Sequence, residues 1–206
     1  APLTLRNHAV FGEWILISTN GGVALRTGAS DDATGDHLDW NAARWPAEGV
    51  PFERRVTDQV AADKAIRAHA TAWIAANPAR WVALMPVKAF ALWAKDTDAF
   101  WGLQGSYPQA ATPIRLVAGA NQAFYLAVLL ASLPCLWTGL VGLFRRQQSA
   151  ALLILFLMPS FVTLVAIVFT GQIRYHFPAM PFLIVAAAWT LTQWGSARMT
   201  GRARAA

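Results

Sequence analysis

Every acidic side chain of this 206-residue chain lies before residue 119. Residues 119–206 carry six formal charges, all arginine: Arg145, Arg146, Arg174, Arg198, Arg202 and Arg204. Between them run three uncharged stretches, 116–144, 147–173 and 175–197. Each exceeds the roughly 20 apolar residues needed to cross a bilayer core. The pattern predicts a mainly α integral membrane protein. An extracytoplasmic α+β domain over 1–118 is followed by a membrane domain over 119–206. Its three transmembrane helices fall at about 119–144, 149–171 and 178–196, ahead of a basic tail.

Charge also sets the orientation. The first 118 residues hold 11 basic and 11 acidic side chains, so the net charge of +6 belongs to the six arginines. A nucleic-acid binder would gather its basic residues on a polar domain, so nucleic acid is excluded as a partner and membrane lipids take its place. Arg145 and Arg146 are separated from the Arg198/Arg202/Arg204 tail by two helices, so all five share a face, and the positive-inside rule makes that face cytoplasmic. The Arg174 loop and residues 1–118 then face the periplasm of a bacterial inner membrane. Ala-Pro-Leu-Thr-Leu-Arg at the start has no apolar signal-peptide core. The expectation is therefore the C-terminal part of a longer polytopic protein, with Ala1 just past an earlier helix. Cys135 is the one cysteine and sits inside a predicted span, where it reads as a small apolar packer with no intrachain disulfide.

Within 1–118, Trp14–Ser18 and Val23–Arg26 flank Thr19-Asn20-Gly21-Gly22, a hairpin signal because a type I′ turn needs φ > 0 at both central residues. Residues 28–55 read as a long ordered loop with Trp40, Trp45 and Phe52. A helix capped by Thr57 or Asp58 then buries Ile66, Ala70, Trp73 and Ile74, and ends at Asn77-Pro78. A second helix from Pro78 carries Pro86, which should kink it. It is apolar but too short to span, so it reads as interfacial, with Lys88 and Lys95 snorkelling. Residues 96–115 read as a connecting loop.

Chemistry concentrates in Gly171-Gln-Ile-Arg-Tyr-His-Phe-Pro178, which joins the last two spans at headgroup depth. Arg174 offers a planar fork for phosphate, and at this depth the phosphates belong to lipids. Arg174 is thus either a clamp for a lipid-linked substrate or an interfacial anchor, with Tyr175 in the aromatic belt. Lys88 is a second phosphate partner or a snorkelling lysine. His176 is an acid–base group or a packed ring. His8, His37 and His69 lack zinc-ligand spacing, and Asp31, Asp32, Asp36 and Asp39 lack the order of a calcium loop. No nucleophile elbow, Walker loop or dinucleotide fingerprint occurs, no cofactor is expected, and no residue is assigned to a metal.

Leu5-Arg-Asn7, Val10-Phe-Gly12, Ile17-Ser-Thr-Asn-Gly-Gly22, Leu25 and Gly28 open an ordered series. It continues with Ala33-Thr-Gly35, Trp73-Ile-Ala-Ala-Asn-Pro78, Lys88, Trp93, Arg174-Tyr175, Pro178 and Pro181. Across nearly the whole chain the series resembles bacterial polyprenyl-phosphate-sugar-dependent glycosyltransferases of the GT-C fold. That group includes the protein O-mannosyltransferases and the lipid A aminoarabinose transferases. Ala29 departs from the pattern, since relatives often carry Asn after the Gly. The resemblance implies a multi-spanning enzyme that moves a sugar from a polyprenyl-phosphate-linked donor to a lipid, glycan or protein acceptor on the periplasmic face. It assigns no catalytic residue here. The family's catalytic acidic loop has no counterpart in these residues, so an N-terminal catalytic part of the same protein would supply it and this chain alone would be inactive. Arg174, Tyr175 and Lys88 are the residues it points to for the lipid phosphate. A non-enzymatic three-helix accessory or scaffold protein, or an inactive gene fragment, remains open on the residues alone.

Overall fold

A computed structural model describes residues 2–36, 59–145 and 149–205, with side chains through 196. Eight α-helices make up the described residues: α1 Pro2–Phe11, α2 Gly21–Thr27, α3 Gln59–Ala76, α4 Pro78–Ala94, α5 Asp98–Ser106, α6 Ala111–Arg145, α7 Ala150–Val168 and α8 Met180–Ala205. A 3-10 turn, Pro108–Ala110, leads into α6, and a 3-10 segment, Ile173–Ala179, leads into α8. The chain forms two compact units, residues 1–91 with 165–172, and residues 92–164 with 173–206.

No strand occurs among the described residues, which corrects the expected α+β domain. The predicted hairpin is replaced by α2. Asn20 has φ −110°, and positive φ occurs instead at Gly12 and Gly35. Gly21-Gly22 serve close helix packing rather than a turn. The Gly22 N–H donates to Asp63 Oδ1 at 2.5 Å, and a Cβ on Gly22 would overlap the Asp63 carbonyl of α3. The first predicted strand spends its carbonyls on α1: Asn7 Nδ2 donates to Ile15 O and Ile17 O, each at 3.1 Å, and Thr4 Oγ1 donates to Leu16 O at 3.0 Å.

The α3–α4 pair follows from local rules. Val60, Asp63, Ile66, Ala70 and Trp73 are buried on one face of α3, at the helical spacing of three to four residues. Asn77 closes the helix by donating from Nδ2 to Trp73 O at 3.1 Å, and Pro78 opens α4, where its missing N–H costs no bond. Ala29, Ala70 and Trp73, with Leu25, Ile74, Trp81 and Leu84 around them, form the core of the first unit. The capping residues Thr57 and Asp58, the aromatics Trp40, Trp45 and Phe52, and His37 and Asp39 lie outside the described residues.

Residues 96–115 are not a loop: α5 and the start of α6 occupy most of them. In the second unit α6 packs along α8, with Val128, Leu183 and Ala187 buried between them. Ser132 of α6 and Ala186 of α8 are fully buried. The α6 rod with its preceding turn, Pro108–Arg145, and α7 are each long and apolar enough to cross a membrane. Leu116, Phe124, Leu130, Trp137, Phe144, Ile154 and Phe161 are exposed along them, as on a surface solvated by lipid. α7 ends at Val168, short of the predicted 171, because the next residues bond elsewhere. The Gly171 N–H donates to Gly35 O at 3.0 Å and Thr170 Oγ1 donates to Asp36 O at 3.1 Å.

Candidate functional site

Each unit holds one of the groups singled out by the sequence. In the first, Lys88 does not snorkel: the residue is fully buried. Its Nζ donates to Ile167 O at 3.3 Å and to Val168 O at 3.5 Å, and it lies 5.8 Å from the centre of the Trp81 ring. These carbonyls belong to the last turn of α7, where four C=O groups have no partner within the helix and the helix dipole favours a cation. Lys88 therefore caps α7. Gly28 makes room for it, since a Cβ there would lie 2.8 Å from Nζ. Loss of hydration lowers the Lys88 amine to about 8: the two carbonyls favour the ammonium, and desolvation outweighs them.

In the second unit the 3-10 segment turns Arg174 and Tyr175 outward. The Arg174 guanidinium lies 5.7 Å from the centre of the Tyr175 ring, in cation–π range. His176, between them and Phe177, is fully buried. Its ring stacks on Trp93 at 5.7 Å and Phe177 at 5.4 Å, and meets Tyr125 at a tilt at 5.0 Å. A group so enclosed is a packed ring, out of reach of a substrate.

Around His176 lies a network that the sequence did not reveal. The last carbonyls of α4 are each matched by a donor from elsewhere. Leu92 O accepts from His176 Nδ1 at 3.0 Å, Trp93 O from the Tyr125 hydroxyl at 2.9 Å, and Ala94 O from Gln122 Nε2 at 3.2 Å. Asn121 Nδ2 donates to Asp96 O at 2.6 Å and to Asp96 Oδ2 at 3.1 Å, and the Asp96 N–H donates to Gln122 Oε1 at 2.8 Å. Asp96 Oδ1 stands 3.4 Å from His176 Nε2. Trp93 Nε1 donates to Thr163 Oγ1 at 3.0 Å. The sequence signal was present: Asn121-Gln122 is a polar pair at the head of an otherwise apolar run, and a polar group there needs a partner.

The network makes a direct prediction. Tyr125 is 1% exposed, whereas Tyr107 is 52% exposed. Tyr125→Phe should cost about 1 kcal/mol through the unmatched Trp93 carbonyl, and Tyr107→Phe close to none. Unfolding of both variants by graded denaturing detergent would compare them, and equal midpoints would rule out a role for the hydroxyl.

Asp31 accepts from Trp73 Nε1 at 2.9 Å and from Arg80, which ties it into the first unit. Among the described residues no group of three or more His, Cys, Asp or Glu side chains converges to hold a metal ion. Among the described residues the class that the fold defines is all-α, with two helices long and apolar enough to cross a membrane. Comparison with protein-family models, with curated proteins and with solved structures gave no match.

Proposed function

We propose that this chain is the C-terminal, phosphate-facing portion of a bacterial inner-membrane glycosyltransferase that moves a sugar from a polyprenyl-phosphate carrier to an acceptor on the periplasmic side. One observation carries the reading. Arg174 is exposed on a short turn that follows one membrane-length helix, α7, and leads into α8, with its guanidinium over the Tyr175 ring. A guanidinium at headgroup depth suits a lipid phosphate, whose charge grows as the sugar leaves. The stacked aromatic limits the orientations of the fork. Lys88 serves α7 and drops out of the phosphate site. The sugar-activating carboxylate comes from the N-terminal catalytic part, and α8 is the third span.

The test uses membranes containing the intact protein and a polyprenyl-phosphate-linked sugar. Arg174→Ala should lower transfer about 10- to 100-fold, the worth of a charge-assisted bidentate contact, with membrane insertion unchanged. Arg174→Lys should recover part of the loss, because a point charge replaces the fork. Turnover unaffected by Arg174→Ala would remove this residue from the site.

A second reading, a non-enzymatic membrane accessory protein, is favoured by the inward turn of Lys88 and His176 onto backbone carbonyls. It predicts that transfer in such membranes depends on a separately encoded transferase.

A further inference from the structure

We infer that His176 is a positioning residue for Arg174: by joining the bonded end of α4 it fixes the direction in which the 3-10 segment presents the guanidinium to an anionic lipid phosphate. The inference rests on the phosphate reading of Arg174 above.

The end of α4 is a rigid block. Tyr125, Gln122 and Asn121 of α6 bond to Trp93 O, Ala94 O and Asp96 O. His176 is the member that the 173–179 segment adds to this block, through Nδ1 to Leu92 O at 3.0 Å. A carbonyl oxygen only accepts, so Nδ1 carries the hydrogen and the ring orientation is fixed. Ring contacts on Trp93, Tyr125 and Phe177 close it in. A 3-10 helix advances three residues per turn, so a side chain held inward at 176 leaves 174 and 175 pointing outward, and both are exposed. His176 is out of reach of the ligand itself, so any effect it has on phosphate binding passes through the turn.

The test is a double-mutant cycle on the intact protein in lipid nanodiscs. It is titrated with a polyprenyl monophosphate, and in a parallel arm with inorganic phosphate to separate the lipid from the bare anion. His176→Phe keeps a ring and loses the donor; His176→Asn keeps a donor near the position of Nδ1. His176→Phe should weaken polyprenyl monophosphate binding about tenfold when Arg174 is present and less than about twofold in the Arg174→Ala background. His176→Asn should hold binding within about threefold of the parent. Equal losses in both Arg174 backgrounds would mean general destabilisation and overturn the inference, as would an unchanged affinity in His176→Phe.

A ligand-independent measurement separates the two claims. A spin label on Tyr175→Cys, in a Cys135→Ala background, should gain mobility with His176→Phe and not with His176→Asn. Unchanged mobility overturns the positioning role. Increased mobility in a protein that does not bind polyprenyl monophosphate overturns the phosphate reading and leaves the anchoring of the turn standing. Binding of inorganic phosphate as tight as that of the lipid would overturn the lipid as the ligand.

Discussion

Gly28→Ala should unfold the first unit. The added methyl would overlap the carbonyl oxygen of Phe169 and lie 2.8 Å from Lys88 Nζ, so its nearest obstacle is backbone and not the end of a flexible side chain. Gly171 limits the same junction from the other side, since a Cβ there would overlap the Lys88 carbonyl. Three chain segments, around residues 28, 88 and 169–171, thus meet backbone to backbone, and the lysine amine fills the space between them. Overpacking in a core costs about 1–3 kcal/mol when side chains can shift. Here the obstruction is main chain, so the expected loss is larger, about 3–5 kcal/mol, and comparable to the whole stability of a small unit. Limited proteolysis should cut Gly28→Ala in residues 1–91 at temperatures where the parent resists. Gly102→Ala and Gly105→Ala are the controls. A Cβ at either finds no atom within 4 Å, and both lie inside α5, where Ala is preferred over Gly by about 1 kcal/mol. A Gly28→Ala protein as resistant as these controls would mean that the three segments do not meet as described.

The second large effect is a rise in stability with pH. Burial lowers the Lys88 amine from 10.5 to about 8. Between those values the unfolded chain holds one more proton than the folded one, so unfolding becomes harder as pH rises. The burden of the buried charge is fully present below pH 8 and is lifted by about pH 10.5. Its full size is on the order of 3 kcal/mol. Lys88→Met keeps the bulk of the side chain and removes the titration. The difference in unfolding midpoint between parent and Lys88→Met should widen in the parent's favour from pH 7.5 to 10, because every other titrating group is common to both. Parallel curves would show that the amine is not buried as a cation at neutral pH.

These two positions mark where sequence reasoning worked and where it failed. The break at Asn77-Pro78 and the buried stripe Ile66, Ala70 and Trp73 were legible because they depend on neighbours in the chain. The long apolar helices were legible because charge is excluded from them. Asn-Gly-Gly at 20–22 misled, since a glycine pair signals a turn locally but here admits the backbone of α3, 41 residues away at Asp63. Lys88 stood out by type, but its direction was set by the carbonyls of Ile167 and Val168, 79 and 80 residues on. Asp96 attracted no notice, because its partners Asn121, Gln122 and His176 come from other elements. Two glycines in nine residues, Gly102 and Gly105, hid α5, because glycine is a poor helix former.

The side-chain donors at the end of α4 also bear on the order of assembly. Leu92, Trp93 and Ala94 leave the ribosome well before Gln122 and Tyr125, and the donor to Leu92 arrives only with His176. Until the turn ahead of α8 has been made, the last coil of α4 keeps at least one bare acceptor, which favours water over the lipid interior. A nascent chain halted before residue 176 would leave the last coil of α4 one donor short, and synthesis of the 173–179 turn would complete it. Folding of the 173–179 turn and closure of the α4 end would then be one event in assembly.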